Sequence, residues 1–209
     1  MTTIFLIGPR GSGKTTVGKL LAKHLGLPFL DTDRMACERA GCSIAELVEK
    51  EGWPAFRTLE AACLADAARM APDEAAEAAP AAQGKYAEAT GAERAGDLAA
   101  AGGGVLSKGV VIATGGGAVL APENRERMRS TGRVIYLQVP LEILAQRLER
   151  NLSAGNRPSL TGMDPVEELA AIVAEREPLY LATAHHIVAA DLPLKQIVQE
   201  LAGILADGR

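Results

Sequence analysis

The segment Gly8–Thr15 reads G-P-R-G-S-G-K-T, directly after the apolar run Ile4–Ile7 and directly before the helical pattern Val17–Ala22. Glycines and a Lys-Thr pair at this spacing, between a strand and a helix, commit the chain to one local architecture. A buried strand enters a glycine-rich turn, and a helix leaves it with its N-terminus facing back at the turn. The glycines let the backbone curl until several N–H groups converge on one anion, and the helix adds the positive end of its dipole. Gly11, Ser12, Gly13, Lys14, Thr15 and Thr16 are the residues this geometry offers to a nucleotide. Lys14 would reach the β- and γ-phosphates, and the Thr15 hydroxyl would ligate Mg²⁺. A simple Gly/Ser turn needs neither the lysine nor the flanking elements, so the segment reads as a nucleoside triphosphate site.

Further along, short apolar runs alternate with helical patterns, the signature of a parallel sheet covered by helices in an α/β fold. Strands are expected at Ile4–Ile7, Pro28–Leu30, Val110–Ala113, Val134–Val139 and His186–Val188. Helices are expected at Gly13–Leu25, Arg34–Ala40, Ile44–Lys50, Pro54–Met70, Pro122–Arg129, Leu141–Arg150, Pro165–Ala182 and Pro193–Ala206. Ser43 followed by Glu46 is a capping box. Asp164 followed by Pro165 puts a capping residue before a proline at the first helical position.

At 209 residues the chain can bury one core but is short for two. A net charge of -4 argues against a partner that is nucleic acid or an anionic membrane. Aromatic residues make up only 3%, too few for a platform that stacks bases. Cys37, Cys42 and Cys63 lack metal-ligand spacing and read as reduced thiols of a cytoplasmic protein. No apolar run approaches the ~20 residues of a membrane span. The stretch 71–108 differs from the rest, being rich in Ala, Gly and Glu and poor in large apolar residues. It reads as a surface excursion, helical near Lys85–Ala101, with Gly102–Gly104 as a flexible linker.

Four constellations lie beyond the phosphate loop. Phe29-Leu30-Asp31-Thr32-Asp33 is a strand ending in two carboxylates, at the sheet edge where open parallel sheets collect ligands. Period-two alternation puts Asp31 and Asp33 on one side, so that one faces Mg²⁺ and the other a hydroxyl beyond it. The alternative role for Asp33 is to cap a helix from Arg34. Arg57 and Glu60 stand one helical turn apart, equally compatible with a surface ion pair and with Glu60 orienting Arg57 toward a carboxylate. Strand residues Ile112-Ala113-Thr114 run into Gly115, Gly116 and Gly117, three glycines whose entropic penalty calls for close approach to backbone. Arg150, Arg157 and Arg176 bracket a polar loop at about 150–163 that could close as a lid over a triphosphate and exclude water.

These motifs in series resemble those of the shikimate kinases. G-P-R-G-S-G-K-T-T-V-G at 8–18, D-T-D at 31–33, F-R-x-x-E at 56–60, G-G-G at 115–117, R-P-S-L-T-G at 157–162 and R-E-P-L-Y at 176–180 occur in that family's order. The spacing also matches, apart from the excursion. The resemblance covers nearly all of 1–70 and 109–205 and is similar to bacterial type II enzymes. It implies one phosphate-loop kinase domain over 1–209, with a five-stranded parallel sheet in the order 2-3-1-4-5. A substrate-binding helical region at about 33–70, an insertion at 71–108 and the lid complete it.

The activity so implied is transfer of the ATP γ-phosphate to the 3-hydroxyl of shikimate, with Mg²⁺. Carried over by position, Thr15 would hold Mg²⁺ with Asp31 beside it, and Asp33 would act as base or orienting group. Arg57 and Arg176 would hold the shikimate carboxylate, and the backbone of Gly116 and Gly117 would meet its ring hydroxyls. Arg150 would lie near the adenine, with Pro193 flanking it, and Arg157 would close on the phosphates beside the catalytic Lys14. A monomer acting on small molecules is the expected form. The alternatives are another small-molecule kinase of this fold, for gluconate or nucleoside monophosphates, and a nucleotide-binding regulatory module without catalysis.

The excursion carries no candidate site residue. Deleting residues 72–101 is expected to leave the turnover number within a few-fold, measured on a deletion shown to fold. A hundredfold loss would put catalytic groups there.

Overall fold

The computed structural model describes residues 2–70, 109–152 and 165–207. The excursion at 71–108, the lid residues 153–164 with Arg157, and the Asp164 cap lie outside them. Strand β1 (Thr2–Ile7) leads through the phosphate loop into helix α1 (Lys14–Leu25). There follow β2 (Phe29–Asp31), α2 (Thr32–Ala40), α3 (Ile44–Arg69) and β3 (Gly109–Ala113). A 3₁₀ turn at Ala118–Leu120 precedes α4 (Pro122–Thr131) and β4 (Gly132–Gln138). The chain continues as α5 (Leu141–Leu152), α6 (Pro165–Thr183), β5 (His186–Ala189) and α7 (Leu194–Asp207).

All five strands are parallel, in the order β2-β3-β1-β4-β5. Ile4 to Ile7 are all fully buried, because helices cover both faces of the sheet. Alternation along β1 then divides the core in two. Ile4 and Leu6 pack with Val17 and Leu21 of α1 and Val198 and Leu201 of α7. Phe5 and Ile7 pack with Leu64 of α3, Met128 of α4 and Tyr180 of α6 on the other face. A smaller cluster joins α2 to α3 through Ala36, Leu47, Phe56 and Cys63.

Register sets the position of the site. Leu6 pairs with Ala113, and Ala113 pairs with Asp31, so the carboxyl ends of β1, β3 and β2 lie level. The phosphate loop, the glycine triplet and the D-T-D segment therefore leave the sheet side by side. Among the described residues no helix is long and apolar enough to cross a membrane.

Elements differ from the sequence expectation mainly at their ends. β2 runs one residue later than expected, and α2 begins at Thr32 rather than Arg34. The cap of α2 is Asp31, whose Oδ1 accepts from the Asp33 and Arg34 amides at 3.1 and 3.3 Å. The assignment of that cap to Asp33 is thus corrected. The expected pair of helices at 44–70 forms one element broken at Gly52, whose φ of 83° and ψ of 169° interrupt the helical path ahead of Pro54. The Ser43–Glu46 capping box forms in both directions.

Two glycines test the packing with opposite signs. A β-carbon on Gly132 would meet the Thr3 carbonyl of the neighbouring strand and the Phe5 ring, and strand backbone cannot step aside. Gly203 lies exposed within α7 with open space around it. Gly132→Ala is expected to destabilise the protein by about 1–3 kcal/mol. Gly203→Ala is expected to stabilise it by up to about 1 kcal/mol, by replacing a poor helix former. Thermal melts of the two variants, moving in opposite directions, check both.

Candidate active site at the carboxyl edge of the sheet

The phosphate loop curls as its glycines predict. Gly11 and Gly13 have φ of 83° and 91°, a region that side-chain-bearing residues rarely enter. Helix α1 starts at Lys14 with neither a side-chain cap nor an acidic residue in its first turn, which leaves its N-terminal amides to an anion. The Lys14 Nζ donates to the Gly8 and Pro9 carbonyls, both at 2.8 Å, and so folds back over the loop. Burial pulls the Lys14 pKa down to about 8, while Asp33 and Asp31 pull it back up. A polyphosphate beside it would favour the charged form further.

The acidic pair reaches this loop, though not by the route expected. Because Asp31 caps α2, the chain turns helical at Thr32, and Asp33 belongs to a helix rather than to an extended segment. Alternation along a strand therefore does not align the two carboxylates; the helix start does. Asp31 Oδ2 accepts from the Thr15 hydroxyl at 2.8 Å. Asp33 points instead toward Gly115, with Oδ1 only 2.6 Å from where a β-carbon there would sit. Between them, the buried Thr32 hydroxyl accepts from the Gly115 amide at 3.0 Å and ties the D-T-D segment to the triplet.

Arg57 and Glu60 form an ion pair with a purpose beyond the surface. Arg57 Nη1 donates to Glu60 Oε2 at 2.6 Å, and the Glu60 side chain is only 2% exposed. The guanidinium also lies 5.2 Å from the Trp53 and Phe56 rings, which wall it in. Burial pushes the Glu60 carboxyl up, and Arg57 pulls it back toward the ionised form. Glu60 thus holds Arg57 in a largely buried pair rather than an exposed surface one.

The glycine triplet explains why these groups can converge. None of its three residues has a positive φ; the described glycines that do are Gly8, Gly11, Gly13, Gly26, Gly41 and Gly52. What the triplet supplies is space. A β-carbon at Gly115 would strike the Glu60 and Asp33 carboxylates, and one at Gly117 would strike the Arg57 guanidinium. At Gly116 it would press on the phosphate-loop backbone, 3.4 Å from the Arg10 nitrogen.

Arg176 of α6 approaches the same place, its Nη1 3.5 Å from the Gly116 carbonyl oxygen. Its Nε and the Glu60 Oε1 are buried without a hydrogen-bond partner. Unpartnered buried polar atoms of both signs beside a cationic fork suit a small ligand carrying a carboxylate and hydroxyls. Arg150 is exposed at the end of α5, and Pro193 stands at the start of α7, where its carbonyl accepts from the Gln196 amide.

Sequence reasoning missed two residues here. Arg147, one turn before Arg150, donates to the Gly11 carbonyl and to the Ala190 carbonyl, each at 3.0 Å, clamping the phosphate loop. Its only signal was its helical spacing from Arg150. Tyr180 donates to the Gly116 carbonyl at 2.5 Å, and its signal was the closing tyrosine of R-E-P-L-Y.

For Mg²⁺ the donors are two hard oxygens, the Thr15 hydroxyl and the Asp31 carboxylate, already in contact. Among the described residues no cluster of three or more His, Cys, Asp or Glu could hold a metal. Such a pair fits an ion that keeps its waters and is shared with substrate phosphates, which is how Mg²⁺ is commonly bound.

Comparison with known proteins agrees with this geometry. The family model described as shikimate kinase matches residues 10–73 and 101–206 and passes over most of the excursion. The shikimate kinase of Nitratidesulfovibrio vulgaris is 42% identical over 203 residues, spanning 97% of this chain and 95% of that protein. Shikimate kinase 2 of Yersinia enterocolitica is 38% identical over 205 residues, spanning 98% and 96%. Among solved structures, shikimate kinase from Acinetobacter baumannii in complex with shikimate superposes with a TM-score of 0.75 at 31% identity, covering 100% of this chain and 95% of that one. The Aquifex aeolicus enzyme gives 0.68 at 27% identity, covering 99% and 97%. A family model that matches most of the chain, and relatives near 40% identity along its whole length, place the chain in the shikimate kinase family.

Proposed function

We propose that this chain transfers the γ-phosphate of ATP to the 3-hydroxyl of shikimate through the residues gathered at the carboxyl edge of its sheet. One observation carries the assignment of roles. The triplet Gly115–Gly117 brings Asp33, Glu60 and Arg57 against a backbone that itself abuts the phosphate loop. Donor and acceptor sites therefore share a wall.

In this reading the amides of Gly11 to Thr16 and the Lys14 ammonium cradle the triphosphate, and Thr15 with Asp31 would hold Mg²⁺. That ion, when bound, neutralises charge on the phosphate oxygens. Arg57, aimed by Glu60, and Arg176 grip the shikimate carboxylate, and the backbone of Gly116 and Gly117 meets the ring. Asp33 accepts the hydrogen bond of the attacking hydroxyl, orients it and takes its proton as the new oxygen–phosphorus bond forms, while the bond from the γ-phosphorus to the bridging oxygen breaks and ADP leaves. Phosphoryl transfer asks mainly for positioning and charge neutralisation, so no covalent intermediate is required. Arg147 holds the loop in shape, while Arg150 and Arg157 keep their assignments to adenine and phosphates from the sequence motif. A cytoplasmic location, expected from the spacing of Cys37, Cys42 and Cys63, is part of this reading.

Asp33→Asn is expected to lower turnover at least a hundredfold while ATP binding, followed by calorimetry, stays within a few-fold. Near-normal turnover would remove Asp33 from the chemistry. Arg57→Lys keeps a positive charge beside buried Glu60 but loses the fork. It is expected to raise the KM for shikimate roughly tenfold or more, the value of a charge-assisted hydrogen bond, and to leave the KM for ATP unchanged. A coupled ADP-release assay reads both constants, and an effect confined to ATP would misplace Arg57.

A further inference from the structure

Tyr180 closes the R-E-P-L-Y motif, and the proposed chemistry gives it no task. It lies on α6 one helical turn after Arg176, on the same side of the helix. Its side chain is 1% exposed and its ring stacks on Tyr136 of β4, with centroids 5.1 Å apart and planes at 21°. The ring is therefore held in place, with its hydroxyl beside both the Gly116 carbonyl and Arg176. The hydroxyl donates to the Gly116 carbonyl at 2.5 Å.

The same carbonyl oxygen is what Arg176 Nη1 approaches at 3.5 Å, at the outer limit of a hydrogen bond. Two donors thus converge on one acceptor, and the shorter bond belongs to the tyrosine. Neighbouring side chains reinforce the arrangement. Glu177, next to Arg176, has its Oε1 taken up by Gln138 Nε2 at 3.0 Å and by the Tyr136 hydroxyl at 3.5 Å. That carboxylate is drawn onto β4. Burial raises the Tyr180 hydroxyl well above the usual phenol range, with the Arg176 charge opposing, so it stays a donor at every working pH.

We infer that Tyr180 is a positioning residue for carboxylate recognition: by satisfying the Gly116 carbonyl it keeps the Arg176 guanidinium from turning inward onto that carbonyl. The donors of Arg176 then face the acceptor site. The Gly116 carbonyl is partly buried, and on losing its partner it favours the nearest protein donor, because leaving it unpaired is unfavourable. Without the tyrosine hydroxyl the nearest donor is Arg176, already 3.5 Å away. Closing that gap would draw the fork toward the triplet and away from the ligand. The inference rests on the assignment of Arg176 to the shikimate carboxylate.

The test is a double-mutant cycle with Tyr180→Phe, Arg176→Ala and the two combined. Phenylalanine keeps the ring and its stacking, and a melting curve verifies each fold. Shikimate affinity is measured by calorimetry and, independently, through the fluorescence of Trp53, the single tryptophan, which lies against Arg57. Tyr180→Phe is expected to weaken shikimate binding about tenfold and raise its KM equally, with kcat within three-fold and ATP binding unchanged. In the Arg176→Ala background the same substitution is expected to change shikimate affinity less than two-fold. An equal loss in both backgrounds would make Tyr180 a general support of the fold and overturn the inference, as would an unaltered affinity in Tyr180→Phe alone. Should Arg176→Ala itself bind shikimate normally, the carboxylate assignment fails and the inference falls with it.

Discussion

At Gly115 a β-carbon would run into two carboxylates, at Gly117 into a guanidinium, and at Gly116 into the phosphate-loop backbone. Close approach at these three positions is what lets side chains from α2, α3 and α6 meet a loop that leaves β1. The strand pairing supplies the other half of the constraint. With Leu6, Ala113 and Asp31 level across three strands, the loops that follow must emerge together. Any larger residue in the triplet would hold Arg57 and Asp33 away from the phosphate loop, and the two halves of a transfer site would lose their common wall.

Charge is concentrated at this edge beyond what the chain's modest net charge suggests. Asp33 and Glu60 both lie against Gly115 and Arg57 lies against Gly117, with Lys14 and Asp31 near Asp33 and Arg176 near Gly116. Burial penalises the charged forms of Lys14 and Glu60, as the depressed pKa of the one and the elevated pKa of the other record. The pairs in place offset part of that penalty: Arg57 with Glu60, and Asp31 with the Thr15 hydroxyl and two helix amides. The remainder is left for ligands that bring the complementary charge. An edge left incompletely neutralised in this way suits a polyphosphate and a carboxylate.

Much of this was legible in the sequence because local patterns report local structure. The phosphate loop, the capping box and the alternation along β1 are each decided within a few residues. The D-T-D segment shows where local reasoning fails. Alternation assumed an extended chain through Asp33, but the Asp31 side chain captured two amides and started the helix early. The pairing of Arg57 with Glu60 was visible, yet not its burial, because the chain that covers Glu60 arrives from β3 far along the sequence. Arg147 and Tyr180 were passed over for the same reason. Their partners are backbone carbonyls of Gly11 and Gly116, more than sixty residues away in each case, and no side-chain pattern encodes a carbonyl.

The sequence by itself determined that the chain binds a nucleoside triphosphate, that its strands form a parallel sheet between helices, and which motifs line the carboxyl edge. Those properties follow from hydrophobic period, glycine placement and residue chemistry, all of which act over short stretches of chain. Only the tertiary structure decided that Asp31 caps while Asp33 faces the triplet, that Glu60 is buried beneath Arg57, and that Tyr180 and Arg176 converge on one carbonyl. These outcomes depend on strand register and on which buried polar atoms find partners. Both are settled by packing between distant segments, where the penalty of an unpaired buried group selects one arrangement over others that the sequence alone allows equally.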